Sequence, residues 1–141
     1  MTKKATDCPY CGNEAVLNSF GIPICELGVS KLYLFREQTH MGRCIVAYKD
    51  HVSEIVELSE EERNAFFADV NRAAVAIHKA FYPDKLNYGA YGDTGGHLHF
   101  HIVPKYRDQE EWGSTFAMNP KQKYLSDKEY NQLTEMIRDG L

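Results

Sequence analysis

"GGHLHFHIVPKY" runs from Gly95 to Tyr106 and sets three of the chain's 6 histidines at alternate positions, directly behind two glycines. Successive side chains of an extended segment point to opposite faces, so His97, His99 and His101 share one side of a strand. Leu98, Phe100 and Ile102 share the other. Neighbouring histidines on one strand face stand about 7 Å apart, too far to perform one task without help from elsewhere in the chain.

Upstream, "KLNYGAYG" (Lys85–Gly92) reads as a strand, and "DTGG" as the turn joining it to the histidine strand. Farther back, Ser59 with Glu62 forms a capping box, and Pro83 marks the far end of a long helix. Phe66, Val70, Ala73, Ile77 and Phe81 recur within it at spacings of three or four, a stripe that faces a core. "SKLYLFRE" (Ser30–Glu37) and "RCIVAYKD" (Arg43–Asp50) read as two more strands, with Gly42 at the turn. Downstream, Ser126 and Glu129 open a second helix carrying Leu133 and Ile137. Short neighbouring strands with two separated helices predict an α+β fold: an antiparallel sheet of about five strands with one long and one C-terminal helix.

A length of 141 residues fits a single domain spanning 1–141. No apolar run approaches a membrane span, so no membrane association is expected. Lys3 and Lys4 have no apolar segment behind them, which predicts no secretory signal and a cytoplasmic location. In that compartment the 4 cysteines are expected as thiols rather than disulfides. A formal charge of −4 argues against dedicated nucleic-acid binding, which relies on clustered Lys and Arg.

The histidine face admits three readings: a solvated surface, a metal site built on the strand, or nucleophilic catalysis in which one neutral imidazole attacks phosphorus. Three imidazoles side by side repel when protonated and add little packing, which disfavours the first. The turn favours the third, because backbone N–H groups of Thr94, Gly95 and Gly96 can approach an anionic oxygen closely. "CPYC" places Cys8 and Cys11 three positions apart, with two residues between them, as a redox pair or as half of a zinc site. Gly12-Asn13 argues against the helix start that a redox pair wants. Cys25 and Cys44 stand alone and read as small buried residues. Trp112 reads as packing or as a wall of the active site.

"HLHFHIV" resembles the signature of the histidine-triad (HIT) family, His-x-His-x-His followed by two apolar residues. The resemblance continues through "CPYC", "GRCIVAYKDHVSEIVELSEEE", "PDKLNYGAYGD" and "WGSTFAMNP", in the family's order, and covers Cys8 to about Pro120. It is closest to the zinc-bearing bacterial branch that includes diadenosine polyphosphate hydrolases. It implies a HIT-like fold in a homodimeric nucleotide hydrolase or transferase that cleaves at an α-phosphate through a nucleotidyl-histidine intermediate.

Carried over residue by residue, the resemblance makes His99 the nucleophile and places His101 beside it to hold the phosphate oxygens. Asn87, one residue nearer the triad than in some relatives, matches a phosphate-binding asparagine. Cys8 and Cys11 pair with His51 and His97 as ligands of a structural zinc, and no organic cofactor is implied. Glu37 and Gln38 fall where relatives contact the ribose, or read as an exposed turn. Many members carry a histidine where this chain has Arg43. Arginine cannot shuttle protons at neutral pH, so Arg43 reads instead as an electrostatic partner of phosphate, and His40 reads as a substitute shuttle or as a loop histidine. Dinucleoside polyphosphates and nucleotide phosphoramidates are the expected substrates. The alternatives are a nucleotidyl transferase or phosphorylase, a metal-dependent hydrolase, and a zinc-stabilised module that binds nucleotide without turnover.

Overall fold

The computed structural model describes residues 7–141; residues 1–6, with Lys3 and Lys4, lie outside the described part. The elements in order are α1 (Glu14–Phe20), β1 (Gly21–Glu26), β2 (Ser30–Phe35), β3 (Cys44–Tyr48), α2 (Glu60–Phe81), β4 (Lys85–Gly89), β5 (His99–Lys105) and α3 (Asp127–Asp139), with one 3₁₀ turn at Ile55–Glu57. The five strands form one antiparallel sheet in the order β1-β2-β3-β5-β4. The α+β architecture, the long helix and the C-terminal helix are those expected from the sequence.

Both capping boxes form, Ser59 with Glu62 and Ser126 with Glu129, so each helix starts where its first free N–H groups find an acceptor. α2 ends at Tyr82, which adopts a left-handed conformation (φ 47°) immediately before Pro83. Its stripe of Phe66, Val70, Ala73 and Ile77 packs on one face of the sheet against Leu32, Leu34, Cys44, Val46 and Ile102. Leu133 and Ile137 of α3 close the same core.

The opposite sheet face carries the smaller cluster of Tyr33, Phe35, Ile45 and Ala47, covered by Leu17 of α1 with Tyr10 and Phe20. Register sets His99 opposite Ala47 and His101 opposite Ile45, so these two histidines emerge on this second face. Phe100 and Ile102 turn into the main core. His97 lies just before β5, where Leu98 bridges Tyr48 and Val52 through backbone hydrogen bonds.

One buried carboxylate ties the main helix to the first hairpin. Asp69 of α2 accepts from the Gly28 N–H at 3.0 Å, from the Val29 N–H at 2.8 Å, and from the Ser30 hydroxyl. Asp69→Ala leaves three donors without an acceptor. It is expected to lower unfolding stability by about 2–4 kcal/mol, the cost of several buried groups left unsatisfied. Urea titration checks this, and a loss below about 1 kcal/mol contradicts it.

Gly42 has φ 94°, and a Cβ there would sit 2.5 Å from the Phe81 ring. The position therefore needs glycine twice over, for conformation and for space. This close turn delivers Arg43 into the protein interior at the mouth of β3.

Candidate functional site

His97, His99 and His101 line a cavity of about 460 Å³ on the second sheet face. Tyr10, Phe20, Phe35, Ile45 and Met118 form its apolar walls, and Tyr91 to Gly95 its rim. The volume and mixed lining suit a small organic ligand with one polar end.

His99 Nδ1 lies 2.7 Å from the His97 carbonyl oxygen. A carbonyl can only accept, so Nδ1 carries the hydrogen and Nε2 keeps its lone pair. Burial holds the imidazole below its ordinary titration range, against the opposing pull of that carbonyl. The ring is thus neutral and in one tautomer, with an unshared pair on Nε2. His101 sits 5.4 Å away, centroid to centroid. Burial, then the positive charge of Arg43, pushes its pKa down to about 3.

A second cluster abuts the first. Among the described residues, the ligand atoms of Cys8, Cys11, His51 and His97 all lie within 4.8 Å of one another. His97 Nδ1 is 3.5 Å from Cys8 Sγ, 3.4 Å from Cys11 Sγ and 3.3 Å from His51 Nδ1, and Cys11 Sγ is 3.4 Å from His51 Nδ1. Tetrahedral zinc, with Zn–S of about 2.3 Å and Zn–N of about 2.0–2.1 Å, requires S···N edges of about 3.5 Å and N···N edges of about 3.3 Å. The four donors fit such an ion. His97 Nε2 lies 2.7 Å from the Tyr48 carbonyl oxygen and donates to it, which turns the Nδ1 lone pair toward the cluster.

Tyr10 joins the two clusters. It sits between the cysteines in sequence, and its ring centroid lies 5.0 Å from that of His97 and 5.3 Å from that of His99. The loop that gathers the thiols therefore also walls the cavity.

Several expected site residues take other places. Thr94 and Gly95 reach the cavity rim, whereas the Gly96 N–H closes the turn on the Gly92 carbonyl at 3.0 Å. Asn87 faces a different cleft, with Lys105 and Trp112. Arg43 does not line the cavity; it lies fully buried beneath it. Glu37 and Gln38 are not an exposed turn: both are buried and brace the loop. Glu37 accepts from Thr39 and from the Lys123 N–H, and Gln38 Nε2 donates to the Phe35 and Arg43 carbonyls. His40 is held by Glu111 at 2.7 Å and stays outside the cavity lining. Cys44 is buried as expected, while Cys25 is half-buried.

Tyr10, Tyr91, Met118 and Asn119 line the cavity without having been singled out in the sequence. Tyr10 carried a signal in its place inside the C-x-x-C loop, and Tyr91, Met118 and Asn119 lie in the stretches "PDKLNYGAYGD" and "WGSTFAMNP" that carry the resemblance.

The HIT domain family matches residues 36–108. Adenosine 5′-monophosphoramidase hnt1 of Schizosaccharomyces pombe is 30% identical over 123 residues, which cover 82% of this chain and 85% of that protein. Among solved structures, a histidine triad protein from Sinorhizobium meliloti superposes with a TM-score of 0.83 at 23% identity, covering 90% of this chain and 94% of the other. One from Bradyrhizobium japonicum gives 0.81 at 20% identity, covering 89% and 94%.

Proposed function

Because the chain belongs to the HIT-domain family, we propose that it hydrolyses nucleoside 5′-phosphoramidates at the α-phosphorus, with dinucleoside polyphosphates as a second substrate class cleaved by the same chemistry. The observation that carries this is the 2.7 Å contact between His99 Nδ1 and the His97 carbonyl, which leaves Nε2 as a free nucleophile in a cavity of nucleotide size. The likeness to a yeast adenosine 5′-monophosphoramidase supports the phosphoramidate as first substrate.

In this mechanism Nε2 of His99 attacks the α-phosphorus and the P–N bond to the leaving amine breaks. The departing nitrogen takes a proton from solvent. Water then attacks the nucleotidyl-His99 intermediate, the P–Nε2 bond breaks, and the neutral imidazole is restored. Charge developing on the phosphoryl oxygens meets His101 and the N–H groups of Thr94 and Gly95. The apolar walls, Phe20, Phe35 and Ile45 among them, take the nucleoside.

Zinc held by Cys8, Cys11, His51 and His97 supplies structural anchoring. With two thiolates and two imidazoles bound, the site is closed, and His97 is kept from the reaction. The unit is one domain with an N-terminal metal-binding segment at 8–11. It acts in the reducing cytoplasm, where such thiols persist. A second copy pairs with it, supported by the outer edge of β4, which no described strand covers.

The test is a panel of adenosine and guanosine 5′-phosphoramidates and dinucleoside polyphosphates, with rapid quenching and peptide mapping. Nucleoside monophosphate release, with a transient nucleotide adduct on His99, is expected. Tight nucleotide binding without turnover supports the binding-module alternative and defeats the proposal.

A further inference from the structure

We propose that Arg43 is a positioning residue for His101: its buried guanidinium forks onto His101 Nδ1 and so fixes the tautomer in which Nε2 presents the ring's hydrogen to the substrate phosphate. The proposal builds on the nucleotide hydrolase reading above. It assigns Arg43 a role behind the reacting atoms, where the sequence placed it against phosphate.

The geometry is specific. Arg43 Nε and Nη2 lie 3.3 and 3.2 Å from His101 Nδ1. A guanidinium has donors only and does not give up its charge near neutral pH, so Nδ1 must accept and cannot carry a hydrogen. In the neutral ring that hydrogen then belongs to Nε2. His101 itself lines the cavity.

Arg43 has nowhere else to turn. Nη1 donates to the Ala117 carbonyl at 3.0 Å, and Nη2 also reaches the Met118 sulfur at 3.4 Å. The guanidinium carbon lies over two aromatic rings, 4.3 Å from the Phe35 centroid and 4.8 Å from that of Phe116. The side chain is fully buried. Burial lowers its pKa only to about 10, so it stays charged.

The arrangement separates two duties that histidine alone would confuse. An unconstrained neutral imidazole populates both tautomers, and only one offers a donor at the cavity-side nitrogen. Arg43 removes the other. Its charge also disfavours the imidazolium, so His101 meets substrate as a neutral donor.

Nitrogen-15 histidine NMR of the substrate-free holoprotein reads the tautomer directly. His101 is expected to show an unprotonated Nδ1 and a protonated Nε2. Arg43→Met keeps the stem and removes every donor; Arg43→Lys keeps the charge but not the fork. Arg43→Met is expected to lose on the order of 10²-fold in kcat, the scale of one lost oxyanion donor. KM should stay within about threefold while the Nδ1–H form of His101 appears in the spectrum. Arg43→Lys should fall between it and wild type.

A wild-type His101 protonated on Nδ1 overturns the proposal. So does a folded Arg43→Met with unchanged kcat, or one whose KM alone rises, which would place Arg43 on the substrate. If Arg43→Met does not fold, the wild-type spectrum and the lysine variant still decide. A wild type with the expected tautomer but no nucleotide turnover would sink the hydrolase reading alone, because the spectrum is taken without substrate.

Discussion

His99→Gly is expected to lower phosphoramidate turnover by at least about 10⁴-fold, with nucleotide affinity changed by less than about threefold. Removing a nucleophile that acts as part of a unit costs roughly as much as removing the unit, so no neighbour recovers the rate. The neighbours here are already committed: His101 Nδ1 accepts from Arg43, and His97 Nδ1 faces the two thiols. Affinity survives because the apolar walls and the rim are untouched. The glycine leaves a ring-sized gap beside Tyr10, so millimolar free imidazole should restore part of the first step. Single-turnover release of the leaving group measures both effects. Residual activity within about 100-fold of wild type would mean that another group attacks phosphorus.

The second large effect is expected from removing the zinc proposed for the Cys8, Cys11, His51 and His97 cluster. A chelator strong enough to strip zinc should lower the midpoint of thermal unfolding by about 10–20 °C. Saturating a site about a thousandfold above its dissociation constant stabilises by about 4 kcal/mol, and each kcal/mol moves a domain of this size by several degrees. Cys8→Ser or Cys11→Ser should reproduce the loss without chelator. Turnover should fall in step with unfolding, because the same loop seats Tyr10 against His99. Refilling with cobalt or cadmium discriminates a structural ion from a catalytic one. Both should restore the melting point and the rate together, and cobalt should show the absorption of a tetrahedral thiolate site. A rate that follows the Lewis acidity of the replacement ion, at equal melting points, would make the metal a participant in the chemistry.

The elements with strong local periodicity are legible in the sequence itself. α2 announces itself through its capping box, apolar stripe and terminal proline, and β5 through alternation. α1 and β1 were not. A helix of seven residues is too short to show a reliable stripe and is held by tertiary contacts. β1 contains Pro23 and a bulge between Pro23 and Cys25, tolerated because the strand lies at the sheet edge, where proline costs no ladder bond. The site divides the same way. The residue types at 97, 99 and 101 pointed to phosphorus chemistry, and the family resemblance supplied His51. What Arg43 touches depends on contacts 58 and 74 residues away, which no local pattern encodes. Glu37 and Gln38 looked like a solvated turn because their burial comes from a distant segment, near Lys123.

The span between the two halves of the thiol–imidazole cluster sets a clock during synthesis. Cys8 and Cys11 leave the ribosome 89 and 86 residues before His97. At translation speeds of about 5–20 residues per second, that interval lasts roughly 5–20 s. Throughout it the nascent thiols lack a full set of partners, with His51 arriving about halfway. Oxidative stress that pairs Cys8 with Cys11 in this window would block the last closure, so newly made chains should be more peroxide-sensitive than mature ones.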